Sequence, residues 1–133
     1  MQPKKTKETE AKLIAEAFKA LKNSRSPHSK FRVGAAILCK SGNIYPGTNI
    51  EFDAFSLTVC AERSALFGAV SSGEKEFTAI AIAVSSDDFK FPCGLCRQAL
   101  VEFNPDLKVI LITKKKRIKR FILKDIIPNH FKL

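Results

Sequence analysis

Residues Phe77–Val84, Phe-Thr-Ala-Ile-Ala-Ile-Ala-Val, form an almost unbroken apolar run. Such a run is far shorter than the roughly 20 residues that cross a bilayer, and it reads as a strand covered on both faces. A strand of that kind dictates layers, because its two apolar faces must each be roofed. The flanking segments supply the roofs. Thr6 to Leu21 carries Leu13, Ile14, Ala17, Phe18 and Leu21 at helical spacing. A second helix is expected from Cys60 to Ser71-Ser72-Gly73, and a third from Cys93 to Phe103, ending at Asn104-Pro105. Between the first two helices, Phe31–Cys39 and Asn43–Asn49 flank Lys40-Ser41-Gly42-Asn43 as a hairpin does, and Leu107–Thr113 reads as a further strand. The order helix, hairpin, helix, strand, helix, strand makes the last two strands parallel and implies a three-layer α/β/α sandwich. Phe121–Leu133 is expected as a short final helix and a loose tail.

Composition narrows the class. The chain has 133 residues, 45% of them hydrophobic and 27% charged, the proportions of a globular domain, and residues 1–133 are read as one domain. The start Met1-Gln2-Pro3-Lys4-Lys5-Thr6-Lys7 is polar, so neither a signal peptide nor a membrane segment is read there, and a cytoplasmic protein is expected. Four cysteines in such a compartment point to metal or catalysis before disulfides.

The net charge is +10, and its densest block is Lys114-Lys115-Lys116-Arg117-Ile118-Lys119-Arg120. A solvated turn or edge strand and a polyanion contact both fit that block. Nucleic acid is the disfavoured partner, because the block holds no aromatic residue on which a base could stack.

The chemistry concentrates in Cys60-Ala61-Glu62 and Pro92-Cys93-Gly94-Leu95-Cys96, each at an expected helix start. Positions i and i+3 share a helix face, so Cys93 and Cys96 can grip one ion, whereas Cys60 and Glu62 converge only at a helix mouth. Helix N-termini favour the thiolates that a metal requires, and zinc suits such ligands. Three protein thiolates leave the fourth position for water, as in a catalytic site, unless Cys39, His28 or His130 closes the sphere. Three thiolates on Zn²⁺ carry a net negative charge, which Arg63 or Arg97 could offset. Glu62 beside an open zinc position can act as general acid and base in turn, although a first-turn carboxylate has a purely structural role as well.

These motifs resemble the zinc-dependent cytidine deaminase family, in its short, three-cysteine, homotetrameric branch. Ser29-Lys30-Phe31-Arg32-Val33-Gly34-Ala35-Ala36, Asn49-Ile50-Glu51 and Arg97-Gln98 also match at family-like spacing. The resemblance implies a mixed sheet of about five strands, one zinc ion per subunit on Cys60, Cys93 and Cys96, and proton transfer by Glu62. It further implies that Asn49 and Glu51 bind ribose hydroxyls, that Phe31 lies against the pyrimidine, and that backbone around Ala61 contacts the base edge. Arg63 would moderate the thiolate charge, and Phe131 would reach into a neighbouring subunit's site at a tetramer interface. The implied activity is hydrolytic deamination of cytidine and 2′-deoxycytidine for pyrimidine salvage. The chain departs from the family pattern at His28, Phe52, Asp53 and Phe55, which flank the implied sugar pocket.

Overall fold

The computed structural model describes residues 3–133; Met1 and Gln2, at the start of the polar N-terminal segment and of the expected domain, lie outside them. Helix α1 spans Pro3–Leu21 and buries Leu13, Ala17 and Ala20, with Ile14, Phe18 and Leu21 at the edges of the stripe. The hairpin follows as β1 (Val33–Cys39) and β2 (Ile44–Thr48), antiparallel with Leu38 opposite Ile44. Then come α2 (Ala61–Ser71), β3 (Phe77–Val84), α3 (Gly94–Val101), β4 (Lys108–Ile112) and β5 (Ile118–Ile122). The strands form one mixed sheet in the order β2-β1-β3-β4-β5, in which only the β3–β4 pair is parallel.

Alternation along β3 explains the layers. Ala79, Ala81 and Ala83 face α1 together with Ile110 and Ile112 of β4, whereas Ile80, Ile82 and Val84 pack with residues of α2 and α3. Small residues on the first face let α1 lie close to the sheet. Two glycines set the approach: a Cβ at Gly34 would come within 2.1 Å of the Ala17 carbonyl oxygen, and one at Gly47 within 2.3 Å of the Ala65 nitrogen. Gly47 therefore lets the first turns of α2 rest on β2, and the residues entering that helix inherit their position from the sheet.

Two elements differ from the sequence expectation. Strand β1 starts at Val33 rather than Phe31, because the Asn49 side chain takes the place of a neighbouring strand there. Its Nδ2 donates to the Phe31 carbonyl at 2.7 Å, and its Oδ1 accepts from the Val33 N–H at 2.9 Å. At the C-terminus, Phe121 and Ile122 end an edge strand instead of opening a helix, and a single 3₁₀ turn, Leu123–Ile126, follows. Pairing with β4 outweighs the polar character of Ile118–Arg120, with Lys119 set opposite Leu111. Lys114 and Lys115 lie in the β4–β5 turn, which the Lys116 N–H to Thr113 carbonyl bond closes at 2.9 Å.

Candidate metal centre and active-site cleft

Cys60 and Cys93 are the N-caps of α2 and α3. Both thiols therefore sit where unpaired helix N–H groups and the positive end of the helix dipole gather. Cys96 lies one turn further along α3. The Sγ atoms of Cys60 and Cys93 are 3.6 Å apart and those of Cys93 and Cys96 are 3.5 Å apart, with all three within 4.8 Å of one another. Thiolates at tetrahedral corners ~2.3 Å from a zinc ion lie ~3.8 Å from each other, so this trio fits the ion with little movement. Cys39, His28 and His130 lie elsewhere: Cys39 sits beside Glu74, His28 contacts Asp53 and His130 lines a C-terminal cleft.

The cluster is electrostatically prepared for a metal. The Cys96 thiol and the Arg63 guanidinium hydrogen-bond to Cys60 and hold its thiol down to about 5, against the opposing effect of burial. Cys96, the donor in that pair and itself buried, is pushed up. Arg63 Nη2 donates to Cys60 Sγ at 3.6 Å, while its Nε is buried with no hydrogen-bond partner among the described residues. Burial opposes the Arg63 charge, but the two thiol partners outweigh it and raise the guanidinium above its ordinary range. Arg97, the other candidate cation, is spent elsewhere: its Nε donates to the Pro92 carbonyl and its Nη1 to the Ile126 carbonyl, each at 2.7 Å.

Glu62, on the first turn of α2, is 5% exposed, and burial, reinforced by the nearby Cys60 charge, pushes its carboxyl up to about 7. It lines a largely apolar cleft of about 310 Å³ together with Cys60, Cys93, Ala61, Phe31, Asn49 and Glu51. That volume is at the lower end of the range for small-molecule sites, ~300–1,000 Å³. A carboxyl poised near neutrality inside such a cleft can both accept and return a proton.

The rim is a network of fixed groups. Glu51 accepts from the His28 N–H at 2.9 Å, the Ser29 N–H at 3.1 Å and the Ser29 hydroxyl. These bonds, the hydroxyl foremost, hold its carboxyl below the usual range. Residues that depart from the family pattern join one another here, with His28 Nε2 3.1 Å from Asp53 Oδ1 and its ring 5.3 Å from that of Phe55 in an edge-on contact. Phe131 is not brought to this cleft; it is 66% exposed, and its carbonyl accepts from Gln98 Nε2 at 3.2 Å. Lys90 and Phe91 line the cleft as well, although nothing in the sequence motifs marked them beyond their place just before Pro92-Cys93.

Three converging thiols, a buried carboxyl and a small cleft at the ends of the interior strands β1 and β3 define the class of zinc hydrolases that act on small molecules. The family model for the cytidine and deoxycytidylate deaminase zinc-binding region matches residues 7–113. The chain is 45% identical over 121 residues to a cytidine deaminase of Sporosarcina psychrophila, covering 90% of this chain and 89% of that one. It is 41% identical over 120 residues to the cytidine deaminase of Halalkalibacterium halodurans, with 90% and 91% covered. Among solved structures it is similar to the cytidine deaminase of Burkholderia pseudomallei, at TM-score 0.87 and 35% identity over 91% of this chain and 98% of that one. The cytidine deaminase of Mycobacterium tuberculosis aligns at TM-score 0.79 and 31% identity, with 92% and 97% covered. The chain belongs to the cytidine and deoxycytidylate deaminase family.

Proposed function

We propose that the protein hydrolyses cytidine and 2′-deoxycytidine to uridine and 2′-deoxyuridine with release of ammonia, as a cytoplasmic enzyme of pyrimidine salvage whose residues 1–133 act as one domain. The observation that carries this reading is the buried Glu62 carboxyl, up at about 7, in one cleft with the thiols that fit zinc. Zinc bound by Cys60, Cys93 and Cys96 supplies Lewis-acid activation of water. Glu62 accepts the proton of the attacking water and delivers it to N3 of the ring as the new C4–O bond forms. It then takes the remaining proton from the new C4 hydroxyl and passes it to the C4 amino group; the C4–N bond breaks, ammonia leaves and the C4 oxygen becomes the carbonyl of the product. Arg63 moderates the charge of the thiolates. Phe31 packs on the pyrimidine, backbone at Ala61 meets the base edge, and Asn49 and Glu51 hold the ribose hydroxyls. Asn49 retains one amide hydrogen beyond its bond to Phe31, and Glu51, held ionised by its turn, remains an acceptor.

A homotetramer with sites at subunit interfaces is part of the same reading. Support comes from large apolar side chains left in the open, including Phe55 at 73%, Leu95 at 68%, Leu57 at 61% and Phe67 at 52% exposure. The test of the chemistry is the ultraviolet time course of cytidine with zinc-loaded wild type and Glu62→Gln. The variant is expected to keep its zinc and lose activity by at least ~10²–10⁴-fold. An undiminished rate in a zinc-loaded variant would rule out the proton-transfer role.

A further inference from the structure

Arg97 and Gln98, adjacent on α3, both turn their side chains to backbone carbonyls outside that helix. Arg97 Nε donates to the Pro92 carbonyl and its Nη1 to the Ile126 carbonyl, each at 2.7 Å. Its backbone N–H donates to the Cys93 carbonyl at 3.0 Å, so one half-buried residue holds the metal loop twice. In a trans peptide the carbonyl and the next N–H point opposite ways, so a fixed Pro92 carbonyl fixes the plane through which the chain enters Cys93. The ring of Pro92 stiffens the same loop. The second guanidinium bond reaches the end of the 3₁₀ turn, beyond which the chain bends through Pro128 and Asn129, whose φ is +55°. From Pro128 on, no backbone–backbone hydrogen bond holds the tail among the described residues. Gln98 Nε2 holds it instead, donating to the Phe131 carbonyl at 3.2 Å. The planar guanidinium suits this task, since it can serve two carbonyls in fixed directions as an ammonium cannot.

We propose that Arg97 is a positioning residue for two active sites at once. In its own subunit it orients the Pro92–Cys93 peptide that carries a zinc ligand, and with Gln98 it sets the path of the tail that presents Phe131 to a neighbouring subunit's site. The inference rests on the reading of Phe131 as a contact made across an interface. The tail is held by the Phe131 carbonyl rather than by its ring, and the residue stays 66% exposed, as a side chain aimed at another subunit must be. Ile126 packs against the core, so the Arg97 bond fixes the root of the tail while Gln98 fixes its far end. Neither Arg97 bond touches a thiol or the cleft, and its action is therefore indirect. Loss of the guanidinium has two separable consequences. Zinc affinity falls in the same subunit, and KM rises in the neighbour, because Phe131 contributes binding whereas Glu62 moves the proton.

The test compares full-length wild type with Arg97→Gln and Gln98→Ala. In competition with a chelator, Arg97→Gln should bind zinc about 10–100-fold more weakly, whereas Gln98→Ala, which alters only the tail, should stay within about 2-fold of wild type. With zinc saturating, both should raise KM for cytidine about 3–10-fold and leave kcat within about 3-fold. Co-assembly with an excess of Glu62→Gln subunits then reads the direction of the effect. Each surviving variant site receives an intact tail from its neighbour, and KM should return to within about 2-fold of wild type. Unchanged zinc affinity in Arg97→Gln, or a KM that mixing does not restore, would overturn the proposal. Glu10→Gln, which weakens the fold away from the site, should move neither quantity; a shift there would assign both effects to lost stability. Arg97→Lys, which keeps the charge and can keep one carbonyl bond, gives the same readouts should Arg97→Gln fail to fold. A wild type inactive on cytidine, or fully active as a monomer, would instead count against the reading of the cleft and of Phe131.

Discussion

The side chains around the thiol cluster divide the electrostatic work between them. Arg63 meets Cys60 with one guanidinium nitrogen and leaves Nε buried and without a hydrogen-bond partner among the described residues. That cost is tolerable only where the cation is held by negative charge, as three thiolates would provide. We predict that Arg63→Gln raises the Cys60 thiol and weakens zinc binding about 10–100-fold at neutral pH, measured by competition with a chromogenic chelator. Unchanged zinc affinity would show that the arginine does not act on the thiolates. At this scale much was readable in advance: spacing alone puts Cys93 and Cys96 on one helix face, because three residues make nearly one turn. The contact of Phe91 with Lys119 was not readable, since it depends on β5 pairing with β4 and on the path of the loop after β3. Nor was the pair of hydrogen bonds between the Asn49 side chain and the backbone of Phe31 and Val33, which no local pattern encodes.

Among the elements, the strands with clear alternation or an unbroken apolar run were legible from the sequence, whereas β5 was foreshadowed only by the reading of Lys114–Arg120 as a solvated turn or edge strand, with its extent to Ile122 missed. Its exposed Ile118, Lys119 and Arg120 carry no burial signal, and only hydrogen bonding to β4 makes them a strand. The same edge is tied to α1 by Glu10, which accepts from Lys108 Nζ at 2.8 Å and from the Arg120 guanidinium. Arg120 foremost, then Lys108, hold this carboxyl down to about 2, against an ordinary value of 4.5. A carboxyl depressed in the folded state contributes stability above its unfolded pKa and loses that contribution as pH falls through the folded one. Glu10→Gln is therefore predicted to cost about 1–2 kcal/mol at pH 7, after discounting for its half-exposed partners. The difference from wild type should shrink below pH 4.5 and vanish near pH 2, as followed by urea unfolding across that range. A pH-independent difference would assign the loss to packing instead.

For the whole molecule, open apolar groups and high positive charge pull in different directions. Phe55, Leu57, Phe67 and Phe131 favour association, while +10 charge opposes it at low salt. Light scattering is expected to give a tetramer, and Phe131→Ala to impair cytidine turnover without unfolding the subunit; a fully active monomer would remove Phe131 from any site. The capping cysteines of α2 and α3 stand 33 residues apart in the chain, with β3 between them. An ion gripped by both closes that span as a cross-link would, a constraint worth about 3–4 kcal/mol for a loop of this length. This is a sizeable share of the roughly 5–15 kcal/mol that holds an ordinary domain together. We predict that chelation shortens the protein's lifetime against protease as well as silencing it, and that restored zinc rescues both; equal lifetimes with and without the ion would refute this. Metal supply would then govern how many molecules survive in a cell, so that scarcity is felt first as turnover of the protein.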